Sequence, residues 1–480
     1  MNKEIFTVDL HCHPNLKSFN SGFPVPVANM WDKIVHKIDG DFAERISDIS
    51  QHVLKESQCN LDALVAGNVR VFQISLYPIE RGFLHLRNVP QWLLGHKRVN
   101  VFQEVVTGYD VSCIVESKKH WNYFADVERE YAYVYGQQGK SPDGKNEFVL
   151  VNNYTELEQA LKKKNTYIGI LTIEGAHVLG TGAPNTDDKS LDELKVIVTE
   201  NILALKRWEY PPFMINLAHH FWNHLSGHAT SFKRPINSLI NQNKGKNRGI
   251  TELGWHAIRE LLSTENGKRI LVDTKHMSLQ ARKEYYAFLK NNNAINHNDI
   301  IPIVTSHAGA NGYSSMDASI SDNDVMAKSR THKFWRWSIN VSNEEARIIQ
   351  QSGGLIGLMM DRGMLGGTEL IKKAAGITDP VKQRREYTRI FWDNAFQLVK
   401  GIGTKEGWDV IAIGTDFDGT ITHMDPYESS AKFPLLQQDL IEYLEETNYQ
   451  EELWFGYTPT QLVQKMMNGN AMQFYKRFFV

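Results

Sequence analysis

Residues 168–174 read Ile-Gly-Ile-Leu-Thr-Ile-Glu, an apolar run of strand length that ends directly on an acid. An apolar run without polar alternation is typical of a parallel strand that is covered on both faces. A carboxylate at the end of such a strand is costly to bury unless it is paired or bound to a cation. The stretch therefore predicts a buried parallel strand that carries Glu174 to a polar site at its carboxyl end.

Further apolar runs of strand length occur along the chain, at 5–10, 69–76, 213–218, 270–274, 301–306, 355–360 and 410–415. Helical segments lie between several of them, and two begin with a capping box: Ser190 with Glu193, and Ser342 with Glu345. Eight strands that alternate with helices predict an α/β fold, the (β/α)₈ or TIM barrel.

Most of these runs end on a histidine or a carboxylate. In a (β/α)₈ barrel the carboxyl ends of the strands meet at one face, which is where active sites form. Residues that are far apart in the sequence would therefore come together at this face. The residues at or just beyond the strand ends are His11, His13, Glu174, His219, His276, His307 and Asp416.

The 480 residues are enough for about three domains of ~150 residues. We predict instead one barrel domain over residues 1–480, with large insertions near 14–68, 79–167 and 311–340 and a C-terminal helical segment. These three stretches are much longer than the usual connections of about 2–6 residues. Helices are predicted inside them, at 32–56 and 117–136.

Composition excludes several classes of protein. The formal net charge of -2 is unlike that of nucleic-acid-binding proteins, which carry basic patches. Three scattered cysteines (Cys12, Cys59 and Cys113) do not form a disulfide framework and fit a reducing compartment. There is no apolar N-terminal leader and no run of about 18 apolar residues. We therefore expect a cytoplasmic protein that binds neither nucleic acid nor membrane.

The strand-end residues suit a metal centre. His11 and His13 are two residues apart on a strand, so their side chains share a face. Zinc takes neutral imidazole nitrogens and carboxylate oxygens as ligands. Each residue alone is more often structural, but the five together match a binuclear site in which one carboxylate bridges two ions. The predicted ligands of two divalent metal ions, with zinc as the first choice, are His11, His13, Glu174, His276 and His307.

Two further strand-end residues have catalytic chemistry. Asp416 could take a proton from a water activated by the metals and pass it to a leaving amine. His219 could bind substrate and donate to a developing oxyanion. Its neighbour His220 should point the other way and be structural, and Asp418 fits a turn. Surface positions are expected for Trp222, His224 and His228.

Eight short motifs, in order along nearly the whole chain, point to one family. They are Val-Asp-Leu-His-Cys-His (8–13), Ile-Glu-Gly-Ala-His (173–177), Asn-Leu-Ala-His (216–219), Gly-Ile-Thr-Glu-Leu-Gly (249–254), Val-Asp-Thr-Lys-His-Met-Ser (272–278), Thr-Ser-His (305–307), Gly-Thr-Asp-Phe-Asp-Gly (414–419) and Gly-Asn (469–470). This ordered set resembles the membrane (renal-type) dipeptidases, peptidase family M19 of the amidohydrolase superfamily.

The resemblance implies a metal-dependent (β/α)₈ barrel that usually holds two zinc ions and hydrolyses dipeptides, often with a D-residue at the C-terminal position. By position, His11 and Glu174 would bind the first ion, with Glu174 bridging. His276 and His307 would complete the second site. His219 looks like the family's substrate- and oxyanion-binding histidine, and Asp416 like its proton-transferring acid.

The sequence departs from the family pattern in three places. His13 stands where most members have Asp. Thr274-Lys275 replaces a small neutral pair directly before His276. Members also bind the substrate carboxylate through an Arg that follows the strand predicted here at 301–306. Here that region is enlarged, and Arg336 is the predicted substrate-binding residue, with Arg330 as the alternative. A surface position remains open for both.

The sequence thus predicts a binuclear metallohydrolase that cleaves dipeptides, with a dipeptide as its small-molecule partner and a homodimer as a possible assembly. One alternative keeps the site but changes the substrate to an N-acyl amino acid or a lactone. Another is a non-catalytic metal-binding scaffold, which would be expected to have lost ligands or the acid.

Overall fold

The computed structural model describes residues 5–35, 56–84, 103–104, 107–119, 121–232, 240–296, 298–319 and 329–480. The helix predicted for 32–56 falls largely outside these residues. Its first residues, 32–35, are not helical.

Parallel strands form a closed barrel, as the apolar runs predict. The strands are β1 (Thr7–Cys12), β2 (Val69–Leu76), β3 (Gly139–Lys140), β4 (Glu147–Leu150), β5 (Thr166–Ile173), β6 (Met214–Asn216), β7 (Leu271–Asp273), β8 (Val304–Ala308), β9 (Leu355–Leu358) and β10 (Ile411–Ile413). The ring runs β1-β2-β5-β6-β7-β8-β9-β10 and closes where β10 pairs with β1. Each of these strands matches one of the predicted runs, so the (β/α)₈ fold is confirmed.

The two remaining strands belong to the long connection between β2 and β5. β4 pairs in parallel with the first half of β5, and β3 pairs antiparallel with β4. The helix predicted for 117–136 is wrong at its start, because two helices, Val111–Ser117 and Tyr123–Gly136, occupy this region. The second begins where the Asn122 side chain accepts a hydrogen bond from the backbone N–H of Ala125, at 3.1 Å.

Helices surround the barrel and fill the connections. The α-helices are α1 (Leu16–Phe19), α2 (Leu61–Ala66), α3 (Val111–Ser117), α4 (Tyr123–Gly136), α5 (Tyr154–Leu161), α6 (Leu191–Lys206), α7 (Glu252–Leu262), α8 (Leu279–Ile295), α9 (Asn343–Gln351), α10 (Arg362–Leu365), α11 (Thr368–Ala375), α12 (Pro380–Ile402), α13 (Phe433–Thr447), α14 (Pro459–Gln464) and α15 (Asn470–Phe478). A π-helical turn, Lys465–Gly469, joins the last two. Both predicted capping boxes are present, at the starts of α6 and α9.

The barrel strands are buried on both faces. Every residue of β1 and of β5 is buried, since barrel-lining side chains and helix-facing side chains both leave solvent. The main cluster of buried apolar side chains runs from Val8 to Phe479, which supports the proposal of one domain with insertions. No helix in the described ranges is long and apolar enough to cross a membrane.

Candidate metal centre

The strand-end residues come together in one buried cluster at the carboxyl ends of the barrel strands. Two groups of ligand-type atoms share Glu174, and a further group joins His219, His220 and His276; within each group the atoms lie within 4.8 Å of one another. The first group is His11, His13, Glu174 and Asp416, and the second is Glu174, His276 and His307. All six side chains are buried.

Glu174 lies between the two groups. Its Oε2 is 3.1 Å from His13 Nε2, and its Oε1 is 3.4 Å from His11 Nε2. The same Oε1 is 3.2 Å from His276 Nε2 and 3.5 Å from His307 Nε2. A carboxylate with imidazole nitrogens around both oxygens has the arrangement needed to bridge two divalent cations.

Three of the four candidate histidines have a hydrogen-bonding group at their far nitrogen, whereas Nδ1 of His276 has none among the described residues. His13 Nδ1 donates to the Ser75 carbonyl at 2.8 Å, so that in the neutral ring the lone pair is on Nε2. His11 Nδ1 lies 3.0 Å from Ser75 Oγ, and His307 Nδ1 lies 2.9 Å from Ser306 Oγ. Metal-binding histidines characteristically hold their second nitrogen in this way.

Unsatisfied atoms test whether the cluster fits a metal. His11 Nε2 and His13 Nε2 are buried and have no hydrogen-bond partner among the described residues. Buried polar atoms are rarely left without a partner, so each exception needs an explanation. Divalent cations satisfy imidazole lone pairs of this kind, and the donor set of nitrogens and oxygens is one that zinc accepts. The residues therefore fit a divalent metal centre.

Charges within the cluster are strongly coupled. Burial by itself lowers the pKa of His13, but the carboxylates of Asp416 and Glu174 outweigh it and raise that pKa to about 10. Burial raises the pKa of Glu174, but the imidazoles around it, His219 and His11 above all, hold it well below its usual range. Without bound ions, a proton on His13 therefore offsets part of the carboxylate charge, whereas burial lowers the pKa values of His276, to about 3, and of His307, which stay neutral and free to bind a cation.

Two buried aspartates that the sequence analysis left without a role brace the ligands. Asp9 accepts hydrogen bonds from the backbone N–H of His11 at 3.1 Å and from Thr415 Oγ1 at 2.7 Å, which ties β1 to the end of β10. Asp273 accepts from the backbone N–H of Ser306 at 3.1 Å, which ties β7 to β8. Both lie in the quoted motifs, two or three residues before a histidine, and that spacing was the available signal.

The backbone at two site residues adopts an uncommon conformation. His276 has φ 67° and Asp416 has φ 61°, in the left-handed region that residues other than glycine seldom occupy. Hydrogen bonds hold both: the Asp416 N–H donates to the His11 carbonyl at 2.8 Å, and the Ala229 N–H donates to the His276 carbonyl at 2.8 Å. Strained backbone of this kind clusters at functional sites.

Asp416 faces both halves of the cluster. Its Oδ1 is 3.8 Å from His11 Nε2 and 3.7 Å from His13 Nε2, and its Oδ2 is 3.9 Å from His307 Nε2. Burial raises the pKa of its carboxyl group. Gly419 closes over it so tightly that a Cβ there would lie 2.0 Å from Asp416 Oδ1, which requires glycine.

His219 lies on the opposite side of Glu174 and has a partner that the sequence analysis missed. Its Nε2 is 3.5 Å from Glu174 Oε1, while its Nδ1 donates to Glu80 Oε2 at 2.7 Å. Glu80 also accepts from the backbone N–H groups of His220 at 3.2 Å and Phe221 at 3.0 Å. Glu80 follows β2 by four residues, but nothing in the local sequence pairs it with a histidine 139 positions away.

Two expectations about nearby histidines are wrong. His220 does not point away: its ring lies 3.6 Å from that of His219, centroid to centroid, because β6 ends at Asn216 and strand alternation does not extend to these residues. His228 is buried rather than on the surface, and its Nε2 donates to the Lys244 carbonyl at 3.0 Å. Asp418 is a buried structural residue, paired with Lys17 at 2.6 Å.

The structure brings neither predicted arginine into contact with the cluster. Arg330 is exposed and pairs with Glu369 at 2.9 Å. Arg336 lies over the Tyr313 ring, and its guanidinium donates to His332 Nε2 at 2.7 Å. Among the described residues, Arg336 has no carboxylate partner.

A small cavity adjoins the cluster. His13, Glu174 and His219 line one side, and apolar or aromatic side chains line the other. The apolar side consists of Leu16, Tyr77, Ile79, Phe83 and Tyr109. The cavity volume of about 20 Å³ is room for about one water molecule beside the cluster.

Comparison with solved structures agrees with the barrel fold. The chain is similar to a metallo peptidase from Rhodobacter sphaeroides liganded with a phosphinate mimic of the dipeptide L-Ala-D-Ala (14% identity, 99% of this chain and 100% of that chain covered, TM-score 0.53). It is also similar to the dipeptidase AC, a metallo peptidase of family M19 (13% identity, 99% of both chains, TM-score 0.53). A third similar structure is the probable dipeptidase PvdM from Pseudomonas aeruginosa (15% identity, 98% and 95%, TM-score 0.54).

Sequence comparison gives the family. No curated protein sequence matches the chain. The family model described as "Membrane dipeptidase (Peptidase family M19)" matches residues 222–473, more than half of the chain. This stretch carries His276, His307 and Asp416, and the barrel brings them to the residues of the first half. The chain therefore belongs to the membrane dipeptidase family, peptidase family M19.

Proposed function

We propose that this protein hydrolyses the peptide bond of dipeptides with two divalent metal ions, most simply zinc. His11, His13 and Glu174 would hold the first ion, and Glu174, His276 and His307 the second. The position of Glu174, with one oxygen toward His13 and the other toward His276 and His307, carries this proposal. When bound, the ions would polarise the scissile carbonyl and lower the pKa of a water molecule.

The protein's own residues supply the remaining steps. Asp416 would accept the proton of the attacking water on its carboxylate and pass it to the leaving amine, as a general base and then a general acid. His219 Nε2 would donate to the oxyanion that forms on the carbonyl oxygen. Its pKa is raised because the carboxylates of Glu174 and Glu80 outweigh burial, which favours the protonated, donating ring.

Metal content and activity test the proposed function together. The purified protein should contain about two divalent ions per chain. A chelator should abolish hydrolysis of a dipeptide panel with L,L and L,D members, because the proposed reaction depends on the bound ions. Adding zinc back should restore hydrolysis. Cleavage of N-acyl amino acids or lactones in place of dipeptides would contradict the proposed substrate class. A protein that binds no metal would contradict the proposal of a metal-dependent hydrolase.

Glu80→Gln should lower kcat by about 100-fold, the size expected when an oxyanion donor is misplaced. The glutamine side chain carries one NH₂ group that cannot accept, so either His219 Nδ1 or the backbone N–H of Phe221 loses its acceptor. Steady-state kinetics with the metal content measured in parallel would check this. Unchanged kcat with an unchanged number of bound ions would show that Glu80 does not position His219.

A further inference from the structure

His220 lines the cavity beside the metal centre and has a ring nitrogen without a partner. Its side chain forms part of the cavity wall together with Glu174 and His219. Its Nδ1 lies 2.8 Å from Ser231 Oγ, whereas its Nε2 has no hydrogen bond to any described residue. The residue is only 8% exposed. A polar atom at a buried position is seldom left without a partner, so a ligand is expected for Nε2.

Hydrogen bonds indicate which ring nitrogen of His220 carries the proton. Ser231 Oγ accepts from Gln242 Nε2 at 2.7 Å. Among the described residues, the acceptor within reach of the Ser231 hydroxyl proton is His220 Nδ1. In a neutral imidazole one nitrogen accepts and the other donates. His220 Nε2 is therefore a hydrogen-bond donor.

The His220 ring is held in place from several sides. Its backbone N–H donates to Glu80 Oε2 at 3.2 Å, the oxygen that also accepts from the neighbouring histidine. Its backbone carbonyl accepts from Gln242 Nε2 at 2.9 Å. The rings of Phe83 and Phe232 pack against it, with centroid distances of 5.5 and 4.3 Å. A donor fixed in this way needs little reorganisation when charge develops on a reacting atom.

The two neighbouring histidines are close enough to bind one atom. A ring nitrogen of His219 and one of His220 lie within 4.8 Å of one another. Donors that stabilise an oxyanion lie about 2.7–3.1 Å from it, so two nitrogens at this separation can both bind a single oxygen. The cavity beside them, with a volume of about 20 Å³, has room for about one water molecule, which is the size of such an oxygen.

We propose that His220 Nε2 is a second hydrogen-bond donor, beside His219, to the oxyanion that forms on the carbonyl oxygen of the substrate. The inference rests on the proposed function, in which attack of water on the scissile carbonyl produces this oxyanion. The group of His219, His220 and His276 also has the spacing of a cation site. Ion content distinguishes the two roles of His220.

Two variants test the proposal, because each keeps one nitrogen position of the ring. The amide nitrogen of glutamine can take the place of Nε2, and that of asparagine the place of Nδ1. His220→Asn should lower kcat for alanyl-alanine by about 100-fold and leave KM near the wild-type value, as for loss of one oxyanion donor. His220→Gln should retain most of the rate. The opposite order, or equal rates for the two variants, would overturn the proposal.

Metal content and a matched control separate other roles of the ring. Both variants should hold as many ions as the wild type, and loss of an ion from either would make His220 a metal ligand and contradict the proposal. The control is His256→Asn, which changes a half-buried histidine of α7 that is 2.8 Å from Thr199 Oγ1. It should keep the wild-type kcat.

Binding of dimethylphosphinate keeps the inference testable if the proposed function fails. This anion has the tetrahedral shape of the oxyanion intermediate and carries neither an amine nor a carboxylate. In calorimetry on the metal-loaded protein, His220→Asn should weaken its binding by about 10-fold, and His220→Gln should leave it nearly unchanged. If the wild type cleaves no dipeptide, the proposed function falls while this difference still supports His220. Equal binding by the three proteins, or no binding by the wild type, would reject the role of His220.

Discussion

Glu174→Gln should abolish hydrolysis and remove metal from the protein. Glu174 is the one residue common to both ligand groups, and its two oxygens face His13 on one side and His276 and His307 on the other. A neutral amide offers one weak oxygen donor in place of two charged ones, so both ions lose a ligand. We expect kcat/KM to fall by more than ~100-fold. That exceeds the loss caused by removing a residue that only hydrogen-bonds to a metal ligand.

Elemental analysis after dialysis, together with dipeptide hydrolysis at saturating metal, would measure both effects. Glu446→Gln is the matched control, because Glu446 is exposed and its ion pair with Arg385 lies on the surface, where such pairs contribute little. The control should keep its ions and its rate. If Glu174→Gln retained two tightly bound ions, the bridging role of Glu174 would be wrong.

The fold could be predicted because its determinants are local. The barrel strands appear in the sequence as short runs rich in apolar residues, since a parallel strand covered on both faces buries side chains on both of them. The helix starts at Ser190 and Ser342 are equally local, because the cap and its acid lie three residues apart. The long connections were harder: Asn122 caps a helix inside a segment that appeared continuous in the sequence.

The site residues that could be predicted are likewise those fixed by local sequence. His11, Glu174, His276, His307 and Asp416 end strands, and barrel geometry brings strand ends together whatever lies between them. Glu80 could not be found in this way, because its position against His219 depends on how the connection after β2 folds back over the barrel. The prediction of the His220 orientation was wrong for a related reason: side chains alternate between the two faces only within the strand, and His220 lies beyond it.

Asp416→Asn should leave the ions bound but lower kcat by about 100- to 10,000-fold, the range for loss of a general acid–base group. Asn has nearly the same shape as Asp, and Gly419 leaves room for it. It cannot, however, take a proton from water at neutral pH. The substitution leaves Glu174 and the four candidate histidines unchanged. Three of these histidines, His11, His276 and His307, contact Glu174 Oε1.

Metal content, KM and kcat separate this effect from a disturbed centre. Proton transfer by Asp416 predicts two ions per chain and a KM close to that of the wild type, with the loss confined to kcat. Asp409→Asn, an exposed acid paired with Lys465, should keep the wild-type rate. If Asp416→Asn lost an ion, Asp416 would instead act as a ligand, as its place in the first group allows. Full activity with both ions present would mean that another group, or solvent, moves the proton.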